Sequence, residues 1–315
     1  MDIAIQSQSI SKTYHGQRGK PALHELNLTI PTGILFGLVG PDGAGKTTAL
    51  RIFSSVMLPT GGAVSLLGHD TREHPDPIRQ LIGYMPQNFS LYPDLTVAEN
   101  LNFFADIQRV PSGRKHSRIQ EMLRFTRLEN FQSRRAAKLS GGMKKKLALA
   151  CALVHEPRML ILDEPSTGVD PVSRRELWVI LSAVAEQGVT VLVSTPYMDE
   201  AERCHQVGVL YEGQMMATGT PAELIQTLPF EVLELNAIPR KQMRKIVSET
   251  SGVVDWRPVG DTLRLTIELG NAQAVMRQLS KRLHQEDVMV RFFRPARSTM
   301  EDVFIHLVRI KREQK

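Results

Sequence analysis

The sequence predicts an α/β protein with a buried parallel sheet, followed by a small α+β domain. Three continuous apolar runs carry the first prediction: "ILFGLVG" at 34–40, "RMLILD" at 158–163 and "VTVLVST" at 189–195. Such runs are typical of strands buried on both faces, and helical patterns between them indicate a parallel sheet. After about residue 225, short strands and amphipathic helices alternate instead, which indicates a second domain.

The composition is that of an ordinary globular protein. The chain has 315 residues, 42% hydrophobic and 23% charged, so it is long enough for one large domain and a smaller one. The net charge of +6 is weak evidence for an anionic partner, because much of the excess lies on predicted helix surfaces and fits solvated faces better than a dedicated binding patch. Two cysteines give no disulfide framework, which favours a reducing compartment. We expect neither a signal peptide nor a membrane span, because no apolar stretch reaches about 18 residues.

The pattern of the first part of the chain predicts short strands. "IAIQSQSI" alternates in polarity, "HELNLTI" places Leu26, Leu28 and Ile30 on one face, and "GAVSLLG" lies between glycines. The pattern becomes helical from Asn88 to about Ala137. "LYEGQMMATG" then predicts a hairpin that turns at Glu212-Gly213.

The C-terminal part predicts the order β-α-β-α-β-α, a ferredoxin-like arrangement. The three strands are "EVLELNA", "DTLRLTIEL" and "VMVRFFR", and the three helices are "PRKQMRKIVSE", "AQAVMRQLSKRLHQ" and "TMEDVFIHLVRIKRE". We place the boundary near residue 225, after Pro221 and before Pro229.

The glycine-rich stretch "GPDGAGKTT" follows a buried strand and precedes a helical run, which is the context of a phosphate-binding loop. Glycines let the backbone N–H groups turn towards phosphate oxygens, and the helix N-terminus adds partial positive charge. Lys46 would reach the β- and γ-phosphates, and the Thr47 hydroxyl would ligate Mg²⁺. The nucleotide-binding residues predicted here are Gly40, Pro41, Asp42, Gly43, Ala44, Gly45, Lys46, Thr47 and Thr48.

Two carboxylates end the buried strand in "LILDEP". Asp163 is suited to holding Mg²⁺ through its water shell, and Glu164 to polarising an attacking water. On its own this pair would fit a solvated turn, but together with the phosphate loop it predicts phosphoryl chemistry.

The segment "KLSGGMKKKLALACAL" predicts a helix that begins at Ser140, Gly141 and Gly142. Lys144 to Lys146 fall in its first turns, where cations oppose the helix dipole. A phosphate on the Ser-Gly-Gly amides would reverse that balance. The alternative is an ordinary glycine-containing helix start with solvated lysines.

These motifs, in this order, resemble the ATP-binding subunits of ABC transporters, over residues 1 to about 225. "GPDGAGKTT" is similar to the Walker A loop, "LSGGMKKKL" to the signature motif, and "LILDEPSTGVDP" to Walker B and a D-loop that ends at Asp170. "YMPQN" places Gln87 at the Q-loop, where the resemblance implies a catalytic and Mg²⁺-sensing role. Tyr14 falls where the family stacks a ring on adenine, or else is only a strand-end tyrosine. The tail "TMEDVFIHL" resembles the bacterial drug- and lipid-export branch, including its tandem form.

The resemblance implies a P-loop NTPase core of ABC type with an antiparallel β subdomain and a helical subdomain. We therefore expect an ATP-binding domain over 1–225, its helical subdomain at about 88–155, and an accessory α+β domain over 226–315. The family mechanism implies that Ser140, Gly141 and Gly142 act in trans on a second ATPase domain. It also implies ATP hydrolysis with Mg²⁺, transmembrane permease partners, no nucleic acid, and a cytoplasmic position at the inner face of the cell membrane.

Pro196 departs from the family pattern. "VTVLVST" followed by "YMDEAE" resembles the H-loop region, where a histidine is expected to bond the γ-phosphate and help hold Glu164. Proline can do neither. We expect Thr195 to cap the following helix and Pro196 to take its first position.

The sequence leaves several hypotheses of function open. The leading one is the ATP-hydrolysing subunit of an exporter for a drug, lipid or other hydrophobic molecule, with its own site weakened by Pro196. It would work in an asymmetric pair or as a homodimer that turns over without the histidine. The alternatives are a catalytically weak regulatory subunit in a heterodimer and a soluble, non-transport ATPase of the same family.

Overall fold

The computed structural model describes residues 2–14, 21–88 and 91–314. They divide into two compact units, Met1–Pro221 and Ala222–Lys315. The first unit contains a six-stranded and a four-stranded sheet, and the second unit contains one four-stranded sheet. This α/β architecture confirms the predicted fold class.

The six-stranded sheet has the order β10-β9-β3-β8-β7-β6. Its strands are β3 Leu35–Val39, β6 Ile82–Met85, β7 Met159–Asp163, β8 Thr190–Thr195, β9 Gln206–Tyr211 and β10 Gln214–Gly219. All pairings are parallel except that of β9 with β10, which form the predicted hairpin. Every residue of β3, β7 and β8 is buried, as the continuous apolar runs predict.

The four-stranded sheet of the first unit is antiparallel and has the order β2-β1-β4-β5. Its strands are β1 Ile3–Lys12, β2 Leu23–Pro31, β4 Gly61–Leu66 and β5 His69–Asp70. Leu26, Leu28 and Ile30 are buried on one face of β2, as their spacing predicts, and join the core that the two sheets share.

The α-helices of the first unit, within the described residues, are α1 Lys46–Phe53, α2 Pro75–Leu81, α3 Val97–Ile107, α4 Ser112–Phe125, α5 Gly141–Leu153, α6 Pro171–Glu186 and α7 Met198–Ala201. The group α3, α4 and α5 lies between β6 and β7 in the chain, and α3 packs against both of the others. A capping box begins α3: the Thr96 hydroxyl accepts from Glu99 N, and the Glu99 carboxylate accepts from Thr96 N.

The second unit has the order β-α-β-β-α-β-α after α8 Pro221–Gln226 at the division. Its elements are β11 Phe230–Ile238, α9 Arg240–Ser248, β12 Val253–Val259, β13 Thr262–Glu268, α10 Ala272–Gln285, β14 Met289–Ala296 and α11 Met300–Glu313. The sheet is antiparallel with the order β12-β13-β11-β14, and α9 and α10 contribute to the core on one side of it. This is the ferredoxin-like arrangement. The sequence interpretation missed one strand, β12.

Within the described ranges, no helix combines the length and the apolar character needed to cross a bilayer.

Candidate nucleotide site

The predicted phosphate loop joins β3 to α1. Gly45 is the N-cap of α1 with a φ of 106°, and Gly43 has a φ of 77°, conformations that favour glycine. A Cβ on Gly40 would lie 2.1 Å from the Leu210 carbonyl oxygen, and one on Gly45 would lie 2.5 Å from that of Ala22. The loop therefore needs glycine at these positions both for its turns and for its close packing against the strands.

Lys46 lies over this loop and is nearly inaccessible to solvent. Its Nζ donates to the carbonyl oxygens of Gly40, at 2.8 Å, and Pro41, at 3.1 Å. The same Nζ lies 3.2 Å from Glu164 Oε1. The ammonium is therefore aimed along the concave side of the loop and is paired with the predicted catalytic carboxylate.

Glu164 is held at both of its carboxylate oxygens. While Lys46 contacts Oε1, the Gln87 Nε2 donates to Oε2 at 3.0 Å and the Thr167 hydroxyl donates to Oε2 at 3.3 Å. Glu164 itself has a φ of 48°, the left-handed region that non-glycine residues rarely adopt. This backbone conformation, together with the three side-chain contacts, fixes the carboxylate at the C-terminal end of β7.

Asp163 is the second carboxylate at this edge. Its Oδ1 accepts from the Thr47 hydroxyl at 3.1 Å and from the Ser194 hydroxyl at 2.7 Å. The Ser194 oxygen in turn accepts from Glu164 N at 3.0 Å. Asp163 Oδ2 is buried and has no hydrogen-bond partner among the described residues.

A hard divalent cation fits this donor set. Mg²⁺ is usually bound through one or two carboxylates together with substrate phosphates and water. Asp163 with its orphaned oxygen, the adjacent Thr47 hydroxyl and the nearby Gln87 amide meet that description. In the part of the chain that the structure describes, no group of three or more His, Cys, Asp or Glu side chains forms an all-protein metal cage.

The phosphate loop, Gln87 and Glu164 line a cleft of about 490 Å³, a volume in the range of small-molecule sites. Tyr14 is half-buried at its wall, where its hydroxyl lies 3.0 Å from Thr48 Oγ1. The lining consists of Tyr14, Pro21, Ala22, Asp42, Gly43, Ala44, Gly45, Lys46, Thr47, Thr48, Gln87 and Glu164.

The predicted signature residues begin α5. Ser140 is its N-cap, and the hydroxyl accepts from Met143 N at 3.3 Å. A Cβ on Gly142 would lie 2.3 Å from Ser173 Oγ, so glycine is required where α5 meets α6. Gly141 lies in a second crevice of about 540 Å³ that it shares with Gln87. The structure therefore places the signature segment beside the Gln87 segment, not inside the nucleotide cleft.

Asp170 is the N-cap of α6. Its Oδ1 accepts from the backbone N–H groups of Ser173, at 2.9 Å, and Val172, at 3.1 Å. Hydrogen bonds from Ser173 lower the pKa of the Asp170 carboxyl. The predicted D-loop residue Asp170 thus stabilises the N-terminus of α6.

The expected cap at Thr195 and Pro196 is wrong. Helix α7 begins at Met198, its N-cap is Tyr197, and no side chain caps it. The Thr195 hydroxyl instead donates to the buried carboxylate of Glu200 and accepts from Tyr197 N at 3.1 Å. Pro196 therefore lies between β8 and the N-cap.

Several residues for which the sequence predicted no role in the site belong to this network. Ser194 bridges the two strand-end carboxylates and Thr167 contacts Glu164, as described above. Glu200 accepts from Ser166 Oγ at 3.0 Å, and Lys145 Nζ donates to the Gln87 carbonyl oxygen at 3.2 Å. Burial lowers the pKa of the Lys145 ammonium, which the nearby Asp163 and Glu164 only partly offset. The available signal was a polar residue near the end of a buried apolar strand, as Ser194 is one position before the end of β8.

The family described as ABC transporter matches residues 23–167. The probable multidrug ABC transporter ATP-binding protein YbhF of Escherichia coli strain K12 is 46% identical over 270 residues, which cover 85% of this chain and 46% of that protein. The chain therefore spans about half the length of the first curated relatives it matches. The daunorubicin/doxorubicin resistance ATP-binding protein DrrA of Streptomyces peucetius is 34% identical, over 96% of this chain and 92% of that protein. The Nod factor export ATP-binding protein I of Burkholderia thailandensis is 36% identical, over 92% of this chain and 97% of that protein.

Solved structures give the same fold. The dimeric post-hydrolysis state of the ATP-binding cassette MJ0796, bound to ADP and Pi, has a TM-score of 0.63 and 28% identity, and the match covers 69% of this chain and 98% of that one. The protein cbiO1 from Clostridium perfringens, described as part of an ABC transporter complex, has a TM-score of 0.65 and 26% identity. The match covers 79% of this chain and 96% of that one.

Proposed function

The chain belongs to the ABC transporter ATP-binding proteins, and from that premise we propose that it binds and hydrolyses ATP to power an exporter. Three relatives support export, since their names specify multidrug transport, drug resistance and Nod factor export. The proposed cargo class is a drug, a lipid or another hydrophobic molecule.

The contacts of Glu164 are the main observation that supports the proposed ATP hydrolysis. A carboxylate held on one oxygen by Lys46 and on the other by Gln87 sits at the rim of a phosphate loop. Phosphoryl transfer depends mainly on positioning and charge stabilisation. Lys46 and the loop amides would hold the β- and γ-phosphates, and Glu164 would accept a proton from the attacking water. Tyr14 would stack on the base.

Asp163, Thr47 and Gln87 would hold Mg²⁺ with the bound nucleotide. The ion would supply charge neutralisation of the phosphate oxygens. The observation that supports this assignment is the buried, unpartnered Oδ2 of Asp163.

The in-trans segment would complete a second site. Ser140 and Gly141 are exposed at the N-terminus of α5, with Gly142 buried behind them, and a helix N-terminus favours anions. We propose that two such domains pair head to tail, so that this segment faces the γ-phosphate bound by the other. We propose that transmembrane permease subunits receive the motion and that the chain therefore works at the cytoplasmic face of the membrane.

Pro196 supports an asymmetric pair. A proline at this position cannot bond the γ-phosphate, and loss of one preorganised contact typically costs about 10²–10³ in rate. The chain's own site would then be slow while its signature completes a faster site on a partner ATPase. A regulatory subunit is the second candidate function, and the same proline is the observation that favours it.

Glu164→Gln tests the proposed hydrolysis. We expect ATP turnover by the wild-type chain and a loss of about 10²–10³ in kcat for the variant, with the affinity for a non-hydrolysable ATP analogue retained. Glu186→Gln, an exposed change at the end of α6, is the matched control and should leave kcat unchanged. Equal rates for wild type and Glu164→Gln would contradict the proposal.

Pro196→His tests the weakened site. If the proline limits hydrolysis, histidine should raise the kcat of the chain alone at least about tenfold. Pro196→Ala controls for the loss of the proline ring. A rate for Pro196→His equal to that of Pro196→Ala and the wild type would refute the idea of a weakened site.

A further inference from the structure

Three consecutive lysines at the start of α5 lie in three different environments. Lys144 is exposed, Lys145 is partly buried and Lys146 is buried. Lys146 pairs with Glu176 on α6. The triplet is therefore not one solvated basic face, and its members can be tested against each other.

Lys145 is directed at the segment that carries Gln87. Its Nζ donates to the backbone carbonyl oxygen of Gln87 at 3.2 Å. The side chain of the same residue donates to Glu164 Oε2 at 3.0 Å. A continuous path of two hydrogen bonds thus connects helix α5 to the carboxylate at the end of β7.

We propose that Lys145 is a positioning residue that holds Gln87, and through it Glu164, in place for hydrolysis. The inference rests on the proposed ATPase function. In the described contacts Lys145 donates no hydrogen bond to the phosphate loop or to Glu164, so its hydrogen-bonded route to that carboxylate runs through Gln87. Its charge also lies near Asp163 and Glu164, a direct electrostatic effect that the double-mutant cycle below separates from positioning. A charged donor on a carbonyl oxygen makes a stronger hydrogen bond than a neutral one.

The position of Lys145 on α5 gives this contact a second consequence. The same helix begins with Ser140, Gly141 and Gly142, the residues proposed to meet the nucleotide of the other domain. Lys145 lies just over one helical turn further along. A shift of α5 on engagement of that nucleotide would therefore be transmitted to Gln87 in the chain's own site. Lys145 would couple the two nucleotide sites of the pair.

Lys145→Met tests the assignment in the full chain. We expect kcat for ATP to fall about tenfold, the loss typical of one hydrogen bond from a charged group. KM for ATP should change less than about twofold, because Lys145 lies outside the cleft. Lys144→Met, with the same change of charge one residue earlier, should match the wild type. Lys145→Arg should recover most of the rate.

A double-mutant cycle separates positioning from a direct electrostatic effect. Gln87→Ala keeps the carbonyl that Lys145 contacts but removes the link to Glu164. Lys145→Met should then cause no further loss in the Gln87→Ala background. Additive losses would overturn the proposal, because they would mean that Lys145 acts on the reaction independently of Gln87.

Two measurements do not need turnover. Amide hydrogen exchange at residues 85–88 should accelerate in Lys145→Met and not in Lys144→Met. Lys146→Met, which breaks the pair with Glu176, should lower Tm instead, whereas Lys145→Met should leave Tm nearly unchanged. Unchanged exchange at 85–88 in Lys145→Met would overturn the proposal even if the chain proved inactive, an outcome that would separately refute the proposed function.

Discussion

Two buried aspartates, one in each unit, are satisfied to very different degrees. Asp163 at the end of β7 is 1% exposed, and the Asp302 side chain at the start of α11 is 6% exposed. Asp302 Oδ1 accepts from Arg257 at 2.9 Å, and its Oδ2 accepts from Arg264 at 2.7 Å. Asp163, in contrast, has one orphaned oxygen and no cation bonded to it in the described contacts.

The local sequence explains the difference. Asp302 lies in a capping box, where Thr299 N and Oγ1 donate to Oδ2 at 2.9 and 3.0 Å. Burial opposes ionisation, but the hydrogen bonds from Arg264 and Thr299 outweigh it and lower the pKa of Asp302. Asp163 follows four buried apolar residues and receives only hydroxyl donors. A carboxylate paired this fully stabilises its fold, whereas one left partly unpaired is available to a ligand.

The largest expected effect is that of Asp163→Asn. We expect kcat to fall by about 10²–10³, because a neutral amide cannot hold the cation. Tm should stay the same or rise, because the change removes a buried charge that lacks a paired cation. Activity assays and calorimetry on the same sample check both. A fall in Tm large enough to account for the lost activity would show that Asp163, like Asp302, mainly stabilises the fold, and would contradict the difference drawn between the two aspartates.

Asp302→Asn is the matched change in the second unit and should have the opposite profile. Removing the charge leaves Arg264 and Arg257 without their shared partner and should destabilise this unit by about 2 kcal/mol. The ATPase rate at a temperature where the protein stays folded should change less than twofold. An unchanged Tm would show that the arginines find other partners.

Ser194→Ala should have a smaller effect on the first site. It removes the donor to Asp163 Oδ1 and the acceptor for Glu164 N. We expect kcat to fall about tenfold and the Mg²⁺ concentration for half-maximal rate to rise. Thr190→Ser, a change at the opposite end of the same strand, is the control. A wild-type rate in Ser194→Ala would remove Ser194 from the set of positioning residues.

Acid titration should give the smallest effect, since it adds one proton to one carboxyl. The pKa of Asp302 is lowered in the folded state, so its contribution is fully present above the unfolded pKa of about 3.9 and is lost as the pH falls through the folded pKa. The difference in unfolding free energy between wild type and Asp302→Asn should therefore narrow below about pH 4. A constant difference from pH 7 to pH 3 would contradict this origin.

Periodicity predicted most strands of the fold but missed β5, β6 and β12, each of which lies at a sheet edge. β12 contains Pro258 and exposed residues, which argue against a strand, yet it lies at the edge of its sheet, where proline is tolerated. β6 is four residues long and also lies at an edge. Such strands need only one hydrogen-bonding neighbour and one buried face, so their sequences carry a weaker signal.

The linear motifs of the site could be predicted because adjacent residues form them. The contacts between motifs could not. Ser194 reaches Asp163 because β7 and β8 pair in one register, with the two residues opposite each other. Thr195 is not the cap of α7, because the helix begins only at Met198; its hydroxyl accepts from Tyr197 N and donates to the buried carboxylate of Glu200. These outcomes depend on tertiary neighbours, which single-sequence patterns do not reveal.

The left-handed backbone of Glu164 has a consequence for the choice of residue at this position. A non-glycine residue at a φ of 48° carries a conformational penalty of about 1 kcal/mol that glycine would not. Glu164→Gly would thus delete the carboxylate and relieve the main chain at once. The same change would leave the buried Lys46 ammonium without its carboxylate partner, so the backbone at this position favours glycine while the ion pair with Lys46 and the proposed catalysis favour the acid.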